Sequence, residues 1–197
     1  DLCTQGLPDD LPVLRSLIWK INFGYISLNS ENWTKELEEQ RKTYVYYRNL
    51  FKKKMAEEYA LYQNYDNMSK EEKKELEENA NKKLLEDIVK DINRTHQNFT
   101  FFFQTIEKDT MTNEERRGKM EDRRNCTMKN LKETYKIDIN ETHADVIARI
   151  LFIYSQFSPD VLYVQGMNEI IAPIYYSYSF DNTFGTSYAD IEPDTFW

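Results

Sequence analysis

Apolar residues in this chain recur at three- and four-residue intervals wherever they cluster. The opening stretch "GLPDDLPVLRSLIWKINFGY" is punctuated by Gly6, Pro8 and Pro12, after which Val13, Leu14, Leu17, Ile18 and Ile21 follow helical spacing. That pattern predicts a capped amphipathic helix beginning near Pro12. In "NWTKELEEQRKTYVYYRNLF", Trp33, Leu37, Tyr44, Tyr47 and Phe51 share one stripe and predict a long helix. From Lys52 to Lys83 the composition shifts to lysine, glutamate and asparagine, and the stretch reads as a solvated insertion. Within it, Ser69 and Glu72 offer a capping box. "LLEDIVKDINR" restores a helix with Leu84, Leu85 and Ile88 on its apolar face and Asp91 and Arg94 at its end.

Residues 113–136 are charged again and read as a second insertion, with Arg116, Arg117, Arg123 and Arg124 as a local basic cluster on a solvated surface. "THADVIARILFIYSQFSPD" predicts a core helix that starts at Thr142 with Asp145 three residues on and stops at Ser158 and Pro159. After "YVQGMNEI", the segment "NEIIAPIYYSYSF" continues as an apolar helix kinked near Pro173. Period-two alternation is rare and glycine numbers five, so the expected class is all-α.

Composition narrows the possibilities. A chain of 197 residues with 40% hydrophobic and 14% aromatic content can fill one substantial core. A net charge of −8 supplies no field for a phosphate backbone, which argues against nucleic acid as a partner. Two cysteines, Cys3 and Cys126, make no disulfide framework and point to a reducing, cytoplasmic setting. Glycosylation patterns at Asn32, Asn67, Asn93, Asn98, Asn125 and Asn140 are expected by chance in a chain this rich in asparagine and threonine. The longest apolar run, Ile170 to Tyr176, contains Pro173 and is too short for a membrane span.

The usual chemistry-bearing patterns are missing. His96 and His143 lie far apart without ligand spacing, so no metal site is expected. No glycine-rich phosphate loop and no nucleophile elbow occur, and the chain does not resemble a nucleotide-binding enzyme. Three local features remain. Arg15 and Trp19 stand one helical turn apart and read as a structural pair. Ile88, Asp91 and Arg94 recur every third residue, a spacing that lets the carboxylate hold the guanidinium, as an ordinary surface ion pair would. The third is Gln165 beside Gly166, an uncharged amide next to the one residue type that frees the backbone.

In this order, "RSLIW", "IVKDINRTH" and "YVQGMN" resemble the three signature blocks of the TBC domain of Rab GTPase-activating proteins. "GLPDDLPVLRSLIWK" and "IARILFIYSQFSPDVLYVQGMNEIIAP" extend the similarity into the flanks. The resemblance implies that residues 1–197 form the helical N-terminal subdomain of such a domain, with insertions near 52–83 and 113–136. "EPDTFW" resembles the start of a helix in the middle of the family's domain, so the family's C-terminal subdomain is expected to be absent and the piece alone to have weak or no activity.

The resemblance also implies a role for each matched residue. Arg94 corresponds to an arginine finger and Gln165 to a glutamine finger, both delivered in trans to a GTP-bound Rab-family GTPase. The chain is then an activator rather than an enzyme, with no cofactor of its own, because GTP and Mg2+ are carried by the partner. Phosphoryl transfer needs charge stabilisation on the transferring oxygens and an aligned water. An arginine finger supplies about 10³ to 10⁵ in rate, roughly 4 to 7 kcal/mol of transition-state stabilisation. Asp91 is expected to orient Arg94, Ile88 to anchor its helix, Gly166 to permit a tight turn, and Tyr163 and Met167 to pack the loop. The expected setting is cytoplasmic, in vesicle trafficking, peripheral to endomembranes only through the GTPase. The alternative is a TBC-like scaffold that binds a GTPase or another partner without stimulating hydrolysis.

Overall fold

The computed structural model describes residue 6 and residues 12–63, 67–78, 80–95, 99–104, 106, 141–158, 160–180 and 188–197. The second insertion, Cys3, Cys126 and His96 lie outside the described residues. Seven α-helices are described: α1 (Pro12–Asn22), α2 (Trp33–Gln63), α3 (Lys70–Glu77), α4 (Ala80–Arg94), α5 (His143–Phe157), α6 (Met167–Tyr178) and α7 (Tyr188–Phe196). Short 3-10 turns cover Ser30–Asn32 and Thr100–Phe103, and among the described residues there is no strand element, so the fold is all-α. None of these helices is long and apolar enough to cross a membrane.

The helices form two compact units, Asp1–Asn49 with Glu169–Trp197, and Leu50–Asn168. Both divisions fall inside or beside a helix, α2 and α6, so no loop-like composition marks them.

In the first unit, α1 ends where Gly24 adopts φ +74°, a left-handed cap that lets the Tyr25 and Ile26 amides donate to the Lys20 carbonyl at 2.9 and 3.2 Å. The reversed chain buries Tyr25 and Ile26 against Leu37, with Leu17, Ile21 and Trp33 packed around them. The Trp33 indole donates to the Ser27 carbonyl at 2.7 Å, holding the start of α2 against this corner. A polar knot follows. The Asp194 side chain, 1% exposed, accepts from Tyr25 Oη at 2.8 Å and from Arg41 Nε and Nη2 at 2.7 and 2.8 Å. Lys20 Nζ lies 2.9 Å away and sits 4.9 Å over the Tyr178 ring. Nearby, Glu192 accepts from Tyr44 Oη at 2.5 Å and lies 3.6 Å from Arg48.

Burial works against the Arg41 charge, but the hydrogen bonds and charge of Asp194 outweigh it and raise its pKa. Burial, then Asp194, pushes the Tyr25 hydroxyl upward, keeping it a donor.

In the second unit, α2 continues past Phe51 to Gln63, so the first insertion opens as helix. Met55, Tyr59 and Tyr62 follow Phe51 at four- and three-residue spacing, a rhythm that the shift to lysine and glutamate obscures, and Lys52, Lys53, Lys54 and Glu57 are exposed. The capping box closes as expected: Ser69 Oγ accepts from Glu72 N at 3.2 Å, and Ser69 N donates to Glu72 at 2.8 Å. Helix α5 is the core: eleven of its fifteen residues are buried, including Phe152 and Ile153 at 0%. A helix apolar on every side must be surrounded, and α4 packs on it through Leu85, Ile88 and Ile92. The Phe51 ring packs tilted against Phe152, with centroids 5.2 Å apart. Thr142 and Asp145 form the complete capping box predicted from their spacing. Arg149, buried inside α5, is paired with Glu141.

The aromatic run at Phe99 to Phe103 packs over the start of α5, where Phe101 lies flat on the His143 ring at 4.1 Å. Burial pushes His143 down to about 4. The unfolded chain takes up a proton below about 6.5, which the folded chain refuses until about 4. His143 therefore contributes its full stability above the unfolded value and loses it as pH falls through that window.

Two outcomes follow from these clusters. Between pH 7.5 and 4.5, urea unfolding of wild type beside His143→Phe should show the difference moving against wild type by about 2 to 3 kcal/mol. Asp194→Ala removes the carboxylate that Lys20 and Arg41 share, leaving Arg41 only Asp190 at 3.4 Å, and should destabilise the first unit by about 3 to 5 kcal/mol, measured by chemical denaturation.

Candidate functional site

The second unit brings the end of α4 and the turn between α5 and α6 together. Ile88 is fully buried, and Ile92 and Thr95 continue its stripe at 7% exposure each, seating the last two turns of α4 firmly. Thr95 closes the helix: its amide donates to the Asp91 and Ile92 carbonyls at 3.0 and 3.1 Å, and its hydroxyl to the Asp91 carbonyl at 2.9 Å. Arg94, the final residue of α4, is exposed.

On the other side, Met167 N donates to the Val164 carbonyl at 3.1 Å, closing a four-residue turn with Gln165 and Gly166 at its centre. Gly166 has φ +104°, as the third residue of a type II turn requires. A Cβ there would meet open space, so backbone conformation alone demands glycine. The geometry puts Gln165 at the exposed corner.

Two polar ties join these pieces. Tyr163 Oη donates to Asp91 Oδ2 at 2.9 Å. Asn168 Nδ2 donates to Thr95 Oγ1, and Asn168 Oδ1 accepts from Gly166 N at 3.1 Å. Tyr163 Oη also lies 3.4 Å from Asn168 Oδ1, but its single proton serves the shorter contact to Asp91. Burial, then the Asp91 carboxylate, pushes the Tyr163 hydroxyl above its ordinary range, so it remains a donor at any physiological pH. Asp91 and Thr95 stand on either side of Arg94, and Tyr163 and Asn168 on either side of Gln165. The ties thus bracket both residues.

The expected pairing of Asp91 with Arg94 is not formed; Asp91 accepts from Tyr163 instead. Successive helical residues turn by about 100°, which places Asp91 between Ile88 and Thr95 on the loop-facing stripe and swings Arg94 away. Tyr163, expected only to pack, acts through its hydroxyl. Among the described residues neither the Arg94 nor the Gln165 side chain has a hydrogen bond or ion pair. Met167 is half-buried at the first position of α6. Arg15 and Trp19 lie on α1 in the other unit, both half-buried, with Trp19 packed against Phe23 at 6.2 Å.

Sequence reasoning passed over Asn168 and Thr95, which are 4% and 7% exposed. A buried-looking amide two residues after a turn glycine, and a hydroxyl directly after Arg94, were the available signals. The apolar residues beside Gln165 are also outside rather than inside: Leu162 is 71% and Val164 60% exposed. No group of His, Cys, Asp and Glu that could hold a metal ion occurs among the described residues.

Residues 104–197 match the family model of the Rab-GTPase-TBC domain. The match includes Gln165 but not Arg94. Human TBC1 domain family member 13 is 29% identical over 241 residues, covering 100% of this chain and 58% of that protein. Its Mus musculus counterpart is 48% identical over 58 residues, 29% of this chain and 14% of the relative. A TBC domain-containing protein of Schizosaccharomyces pombe is 25% identical across 95% of this chain and 43% of its own length. The chain therefore spans less than two thirds of these relatives. No solved structure matches it.

The Tyr163–Asp91 tie is testable by stability. Tyr163→Phe and Asp91→Ala should each destabilise by about 1 to 2 kcal/mol, and the double variant by little more than either alone, as one lost hydrogen bond requires. Urea unfolding of the four proteins measures the cycle.

Proposed function

We propose that this chain is the finger-bearing part of a GTPase-activating protein for a GTP-bound Rab-family GTPase. The observation that carries this reading is the pair of exposed, unengaged side chains, Arg94 and Gln165, on two elements hydrogen-bonded to each other on both sides of each. The Rab-GTPase-TBC match and the TBC1-family relatives support the partner class.

In the proposed mechanism the Arg94 guanidinium, a planar fork, bridges oxygens of the transferring γ-phosphate and offsets the charge that builds there. Among the described residues it has no hydrogen-bond or ion-pair partner, which leaves its donors available. The Gln165 amide accepts from the attacking water and donates to the phosphate at once, which a carboxylate beside the same phosphate could not do without repulsion. GTP and Mg2+ come with the partner. The protein works in the cytoplasm, in vesicle trafficking, and meets endomembranes through its GTPase.

Single-turnover GTP hydrolysis across a panel of GTP-loaded Rabs, with the full-length protein beside residues 1–197, tests the proposal. On the responsive Rab, Arg94→Ala should lose about 10³-fold in stimulated rate, and Arg94→Lys most of it, with GTPase binding nearly intact. Gln165→Ala should lower rate more than affinity, by about 100-fold. Binding of a GTP-loaded Rab without stimulation by the full-length wild type would establish the scaffold instead.

A further inference from the structure

The geometry points to Asn168 and Thr95 as a positioning pair that sets Gln165 relative to Arg94. This inference rests on reading those two side chains as the acting groups. Thr95 is one peptide bond from Arg94, and Gly166 is one peptide bond from Gln165. Between them runs a chain of hydrogen bonds with one direction: Gly166 N–H to Asn168 Oδ1, Asn168 Nδ2–H to Thr95 Oγ1, Thr95 Oγ1–H to the Asp91 carbonyl at 2.9 Å.

Each residue type is required by its place in that chain. Position 168 must accept from one side and donate to the other, which an amide does and an aspartate or leucine does not. Position 95 must accept from the amide and donate onward to a helix carbonyl, which a hydroxyl does. At 4% and 7% exposure, neither group has water to replace a lost partner. The Tyr163 tie is half-exposed and reaches Asp91, one turn before Arg94. It holds the loop in place, whereas the Asn168 tie determines how far the tip of the turn stands from the end of the helix.

Misplacement of a reacting group by about 1 Å lowers rate by as much as about 100-fold without weakening binding. The full-length protein and a GTP-loaded Rab that it stimulates provide the assay. Thr95→Val, which keeps the shape and removes the hydroxyl, and Asn168→Ala should each slow single-turnover hydrolysis at saturating activator by about 10- to 100-fold. The half-saturating concentration should stay within about twofold of wild type, and the double variant should be no slower than the slower single one. Thr95→Ser should restore the rate. Amide hydrogen exchange at Gln165 and Gly166 should quicken in Thr95→Val and return to normal in Thr95→Ser.

A folded Thr95→Val with near wild-type rate overturns the pair. So does a loss confined to the half-saturating concentration, or a Thr95→Ser as slow as the valine variant. If wild type stimulates no Rab, the proposed function fails. The positional coupling is then decided by exchange alone: unchanged protection at Gln165 and Gly166 in Thr95→Val overturns it.

Discussion

The last turn of a helix is its least secure part, because its final carbonyls have no partners within the helix. Arg94 occupies that position in α4, and everything proposed for it depends on how the helix end is held. Apolar anchoring does part of the work, through Ile88, Ile92 and the packing of α4 on α5. Apolar contacts fix depth better than direction, however. Direction comes from hydrogen bonds, and here Tyr163 and Asn168 provide them on both sides of the arginine. The same two residues delimit the turn that carries Gln165. A single corner thereby orients two side chains some seventy positions apart in sequence.

What could be read in the sequence was mostly what is local. The capping boxes at Ser69 and Thr142, the start of α1 at Pro12 and the end of α5 before Pro159 depend on residues within four positions of each other, and all appear where expected. The long reach of α2 is obscured by the lysines and glutamates after Phe51, although Met55, Tyr59 and Tyr62 keep helical spacing. Three-residue spacing on α4 suggests Arg94 as the partner of Asp91, whereas the hydroxyl it accepts from, that of Tyr163, stands 72 residues away. Buried Lys20 and Asp194 were equally illegible: each is ordinary on a surface, and only folding shows that they answer each other.

The two side chains proposed to act also differ in how they come to light by comparison. Gln165 falls within residues 104–197, the span matched to the Rab-GTPase-TBC family, whereas Arg94 lies before it. The relatives at 29% and 25% identity cover both positions, yet the link between the two is structural. Hydrogen bonds from the matched segment to Asp91 and Thr95 bring the end of α4 to the turn that carries Gln165.

The polar knot around Asp194 has a consequence for how the chain is made. Arg41 and Asp194 are 153 residues apart, and the unit they stabilise cannot close until both have been synthesised. The intervening Leu50–Asn168 unit has by then been fully translated. At roughly 5 to 20 residues per second, Tyr25, Ile26 and Leu37 wait about 8 to 30 seconds for the helix that locks their corner. During that interval buried Lys20 and half-buried Arg41 lack the carboxylates of Asp190 and Asp194 that they meet in the fold. Closing the corner before Asp194 arrives would bury Lys20 without its carboxylate, a desolvation cost that favours keeping the lysine in water until then.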